Sequence, residues 1–220
     1  MCFSTTASFA TGVALSAVGV STLSKTKSKI EIPLALIPLL FGIQQIIEGF
    51  VWLSLLRGST VLNQISTYGY TFFSHILWPI FVPFAIALVE VDPLRKRILH
   101  AFQIMGIIVG GYLLYGAIKD PIISSILNNS IMYENVFLYK FLITGFYITV
   151  ICGSFFVSSE KLLNVFGIVL LISFLTAYYF YTLTFVSVWC FFAALLSGIV
   201  FLHFTDRLSP SKESTNGMTV

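Results

Sequence analysis

Seven stretches of apolar residues, each about as long as a bilayer crossing, follow one another along this chain: residues 4–24, 32–56, 64–89, 98–118, 137–157, 163–181 and 184–204. About 20 apolar residues in a helix span a hydrocarbon core of ~30 Å. The pattern therefore predicts an all-α fold: a polytopic bundle of seven transmembrane helices in one domain, residues 1–206. The polar remainder, residues 207–220 (RLSPSKESTNGMTV), has a composition that predicts a disordered cytoplasmic tail. Continuous runs such as FGIVLLISFLTAYYF exclude a β-barrel, whose strands alternate. The first stretch is rich in Ala, Ser, Thr and Gly, which suits a helix packed closely among others. The last two are predicted to form a helical hairpin turning near Tyr181 to Phe185.

Composition agrees with the pattern. The chain is 57% hydrophobic and 10% charged, with a mean hydropathy of +0.95, which excludes an ordinary soluble domain. The net charge of +3 carries no sign of nucleic acid, because the basic residues sit at helix ends, where they anchor the chain in a lipid bilayer. Nine Lys and Arg lie in the loops after spans 1, 3 and 5 and in the tail. Three (Arg57, Lys119, Lys140) lie on the other side. The positive-inside rule then predicts an external N-terminus and a cytoplasmic C-terminus. The longest loop, Lys119 to Glu134, would be external, and its Asn128-Asn129-Ser130 matches a glycosylation sequon. Basic residues do not precede the first apolar stretch, so that helix reads as retained.

Depth in the membrane selects the candidate chemistry. Glu48 is the one charge deep inside an apolar segment, and an ionised carboxylate there costs ~2.5–3.5 kcal/mol even on insertion scales. It lies about 10–12 Å below the outer end of span 2, and His75 lies about 14–17 Å below the outer end of span 3. The two are predicted to pair across adjacent helices, as a proton relay, a binding pair or a polar clasp. Gln44 and Gln45 extend a polar stripe from Glu48. Pro79, four residues after His75, should free the His75 carbonyl and kink span 3, and Pro83 should do the same to Pro79. Trp189 stands near the Glu48 level as a candidate cavity wall. Cys2 is a candidate nucleophile or ligand, whereas Cys152 and Cys190 read as small core residues. His100 and His203 differ from His75 in depth by roughly 10 Å or more, too far for a shared metal, so no metal site is predicted. Gly106 and Gly110 form a close-packing face on span 4, usable within the chain or between copies as an oligomer contact.

The opening MCFSTTASFATG and the string IPLLFGIQQIIEGFVWLSL resemble an uncharacterised family of bacterial multi-span membrane proteins that begin MCFS-x-x-ASF. The matching residues are Cys2, Phe3, Ser4, Ala7, Ser8, Phe9, Gln44, Gln45, Glu48 and Gly49. The resemblance covers essentially the whole chain and implies a multi-pass protein of the bacterial inner membrane, without an activity or a cofactor. Seven spans with a His in span 3 are also similar to the alkaline ceramidase and adiponectin-receptor superfamily of intramembrane zinc hydrolases. That superfamily expects two histidines four apart on the last helix, where this chain has only His203. Span 7 has no Lys for a retinal Schiff base. Two functions follow as expectations. The first is binding or transport of a small solute or proton through Glu48 and His75. The second is an intramembrane lipid hydrolase using the same pair as acid and base, with Cys2 or a bound metal supplying the nucleophile or electrophile. A sensor or structural partner is the third reading.

Overall fold

The computed structural model describes residues 4–134 and 139–206. Among them, seven helices are long and apolar enough to cross a membrane: α1 (Thr5–Leu23), α2 (Lys29–Arg57), α3 (Thr60–Val89), α4 (Pro93–Lys119), α5 (Lys140–Val157), α6 (Lys161–Phe180) and α7 (Phe185–Thr205). The predicted spans are met within a few residues at every end, and the short turn between α6 and α7 falls at 181–184. The predicted tail, residues 207–220, lies outside the described residues.

One element was not anticipated. The loop between α4 and α5 contains an antiparallel hairpin, β1 (Ile123–Leu127) and β2 (Ser130–Glu134), paired from Leu127 with Ser130 to Ile123 with Glu134. Its two-residue turn is Asn128-Asn129, both at positive φ (48° and 57°). A tight hairpin of this handedness needs left-handed backbone at both central positions, which Asn tolerates well. The asparagines of the sequon thus have a structural role as the turn itself. Ser124 in β1 accepts from Asn63 (2.8 Å) and Thr67 (2.9 Å) at the start of α3. On β2, Ile131 is fully buried against Val51, Trp52, Tyr70 and Cys190. The hairpin therefore caps one end of the bundle and inserts into it.

Close backbone approach explains the small residues of α1. A Cβ on Gly12 would stand 2.9 Å from the Ile46 nitrogen, and one on Gly42 would stand 2.7 Å from the Ser16 nitrogen. The α1 and α2 backbones touch there, gaining dispersion contact that larger side chains would forbid. The Gly106/Gly110 face works the same way, against α3. A Cβ at Gly106 would overlap the Pro79 carbonyl oxygen, at 1.8 Å. Both glycines are buried against α3 within the chain.

At the end opposite the hairpin, polar groups are densely satisfied. Glu90 accepts from the Ser159 hydroxyl (2.5 Å), the Ser159 N–H (2.8 Å) and the N–H groups of Val91 and Asp92 (3.0 Å each). Arg95 donates to the carbonyls of Val157 and Ser158. Burial alone would raise the Glu90 pKa. The hydrogen bonds from Ser159, Asp92 and Val91 outweigh it and hold the carboxylate below its ordinary value.

Candidate functional site

Glu48 sits in the middle of α2 and is completely buried, together with Gln44 and Gln45. The i, i+4 spacing of Gln44 and Glu48 turns both toward α3 and α7. There the Ser187 hydroxyl donates to Glu48 Oε1 at 2.5 Å, and Trp78 Nε1 donates to Gln44 Oε1 at 2.7 Å. Tyr70 and Gln45 also face the carboxyl, but Gln45 makes no hydrogen bond of good geometry to it. Glu48 Oε2, both polar atoms of Gln45, Gln44 Nε2 and Trp52 Nε1 are buried without a hydrogen-bond partner among the described residues. No Lys, Arg or His among them forms an ion pair with Glu48. An unsatisfied buried polar group costs about 1–3 kcal/mol, so several together mark a centre shaped by something other than stability.

His75 lies on α3 in a wide turn. Residues Phe72–Leu77 form a π-helical segment, in which the Trp78 N–H reaches back five residues to the Phe73 carbonyl. The cause is in the sequence. In that register the Ser74 carbonyl would take its hydrogen from residue 79, which is proline and has none. The Tyr147 hydroxyl on α5 supplies it instead. In the widened register the carbonyl facing Pro79 is that of Ser74, one residue before the one a four-residue register points to. The Pro79 carbonyl, released by Pro83, abuts Gly106. The imidazole turns to its neighbour: His75 Nδ1 and Ser74 Oγ are 2.7 Å apart, in a hydrogen bond whose donor depends on the ring's tautomer.

Glu48 and His75 therefore do not pair. The carboxylate takes Ser187 and the imidazole takes Ser74. Similar depth did not place the two side chains on facing sides of α2 and α3, and the π turn rotates everything beyond Thr71. What joins them is a shared wall. A cavity of about 80 Å³ is lined by His75 and Ser74 from α3, by Lys140, Thr144 and Tyr147 from α5, by Tyr133 from β2 and by Trp189 and Cys190 from α7. Cys190 also borders Gln44, Tyr70 and Glu48. Tyr133 stacks on Tyr70, with ring centroids 4.6 Å apart and planes at 5°. The His75 cavity and the Glu48 cluster are adjacent compartments separated by Cys190 and this tyrosine stack.

Trp189 lines the cavity. Its indole donates to the Leu170 carbonyl at 3.2 Å, and it stands between the main cavity and a smaller one of about 20 Å³ lined by Phe41, Val82, Ile151, Phe155 and Leu170. Cys2 lies outside the described residues. His203 packs against Phe204, and His100 is exposed near Gln103, so neither joins the site. Among the described residues no group of three His, Cys, Asp or Glu could hold a metal ion. Sequence reasoning missed Ser187, Tyr70 and Tyr147. Hydroxyls in apolar helices are common, and nothing in their spacing marks which carboxylate or carbonyl they will meet.

Seven helices long and apolar enough to cross a membrane, with polar residues turned inward around a cavity, fit a multi-pass membrane protein. The chain belongs to a family of unknown function, DUF6629, whose family model matches residues 1–216. No curated protein and no solved structure matches it.

Proposed function

We propose that this protein binds a small solute within the bilayer, in the cavity beside His75, and that Glu48 is the protonatable centre behind it. The observation that carries this reading is the contiguity of the two compartments. A cavity with an imidazole, four hydroxyls and an ammonium in its walls shares Cys190 with a buried carboxyl whose second oxygen is unpartnered. Pockets with a few convergent polar groups among aromatic walls are the usual form of a small-molecule site. A π turn beside a proline is a frequent accompaniment of function in a membrane helix. Solute movement coupled to protons is the extension that Glu48 supports, since among the described residues its carboxyl is the one acidic group within the middle of a spanning helix. The Lys and Arg bias puts the hairpin end outside, and the resemblance in the opening residues supports a bacterial inner membrane. The hydrolase reading loses its acid–base pair, because Glu48 and His75 face different partners.

Purified protein in proteoliposomes, loaded with a pH-sensitive dye and offered a panel of small solutes, tests the proposal. Solute-dependent binding or proton movement should disappear in Ile143→Trp, which fills the cavity, and proton movement alone should disappear in Glu48→Gln. If neither substitution changes any solute response, the cavity is not a binding site.

A further inference from the structure

The walls of the cavity change character with depth, and the change has one direction. At the hairpin end stands Lys140, the first residue of α5, exposed and with no carboxylate partner among the described residues. Among the described residues it is the only Lys, Arg, Asp or Glu in the lining. One and two turns further along α5 come Thr144 and Tyr147, the latter ~10 Å deeper at 1.5 Å per residue. His75 and Ser74 face the cavity near that level, since Tyr147 bonds the Ser74 carbonyl. Behind Tyr147, Trp189 and Cys190, which line both, lies the smaller pocket, whose remaining walls are wholly aliphatic and aromatic. A cation at the mouth, hydroxyls and imidazole at the waist and hydrocarbon at the bottom match a ligand with the opposite order of parts.

We propose that the cavity receives a single-chain anionic amphiphile, with its carboxylate or phosphate at Lys140 and its chain directed past Tyr147 and Trp189 into the apolar pocket. This rests on the reading that the His75 cavity is the solute site, and it adds the ligand's class and orientation. Charge complementarity selects an anion, because the described lining residues offer one ammonium and no acid. Size selects a single chain. A space of about 80 Å³ with one of about 20 Å³ behind their shared wall suits a small head and part of one chain, and has no room for two side by side. The ligand could come from water or from the bilayer, and the chemistry recognised is the same.

Octanoate, octylammonium, octanol and acetate, titrated calorimetrically into protein in nanodiscs, test the class. Octanoate should bind, acetate and octylammonium should not, and each methylene reaching the lower pocket should tighten binding about fourfold. Lys140→Gln, at an exposed position that leaves folding intact, should weaken octanoate about tenfold and leave octanol unchanged. Ala193→Leu, which fills the lower pocket, should abolish the gain from chain length. Orientation is read from Trp189: ω-bromo-octanoate should quench its emission, and the quenched component should be missing in Trp189→Phe. Brominated palmitate placed in the nanodisc lipid repeats the measurement for a ligand arriving from the bilayer, and quenching by either carboxylate supports the proposal. Equal binding of octylammonium and octanoate, or indifference to Lys140→Gln, overturns it. If that indifferent binding is still lost in Ile143→Trp, the solute cavity stands and only its ligand class is wrong. Loss of all binding in every arm removes both.

Discussion

Glu90 and Glu48 are both carboxylates covered by the fold, yet their surroundings are opposite. Glu90, between α3 and α4, accepts four hydrogen bonds and ties the loop after α5 to the loop after α3. Glu48, within α2, accepts one, and the polar atoms around it remain partly unsatisfied. Water and loop backbone are at hand where Glu90 sits, so evolution could complete its shell cheaply. In the bundle interior every donor must come from a side chain on another helix, and supplying one to each atom would have been equally feasible with Ser or Thr. The incomplete shell of Glu48 is what distinguishes it from the fully bonded Glu90.

The contrast can be broken by mutation. The largest effect should come from Glu90→Ala, which strands four donors and should cost about 3 kcal/mol of stability in detergent unfolding. A loss under about 1 kcal/mol would mean the clamp is ornamental. The same site should respond to acid. Because the folded pKa is lowered, the contribution of Glu90 is complete above the ordinary carboxylate value and declines as pH falls below it through the folded value. Acid unfolding curves should therefore converge between wild type and Glu90→Gln at low pH and separate as pH rises. Next in size is Tyr147→Phe, which orphans the Ser74 carbonyl and should cost about 1–2 kcal/mol. An unchanged midpoint would show that the π turn needs no outside donor. A double-mutant cycle between Glu48→Ala and Ser187→Ala should give a coupling of about 1 kcal/mol. The smallest expected term is the most discriminating. The cycle between Glu48→Ala and His75→Ala should be additive to within about 0.5 kcal/mol, and strong coupling there would restore the pair that the structure separates.

The helices were legible because the bilayer imposes a length and a composition on any segment that crosses it, and every span announced itself by both. The inward position of Glu48 was legible for the same reason: a charge in hydrocarbon is expensive, so it must face protein. The kink beside His75 was legible from Pro79, since a missing N–H is a property of the residue. What failed was the step from depth to contact. Two side chains at one level on neighbouring helices meet only if both helices present the right face. That face at His75 is set by the π turn, whose extra residue per turn no periodicity argument on α3 included. The hairpin was missed because five-residue strands around Asn128-Asn129 leave too short a pattern to separate from a polar loop.

The sequence by itself therefore determined the class of the protein, the position of its spans, the burial of Glu48 and the broken backbone near His75, all of them consequences of transfer energy and covalent chemistry. Tertiary structure alone decided that Ser187 serves Glu48, that Tyr147 serves Ser74, that Gly106 accommodates the Pro79 carbonyl and that Lys140 stands at the mouth of a cavity. Each of these depends on the rotation and separation of helices far apart in the chain. Those are fixed by packing of the whole bundle, and no single segment encodes them.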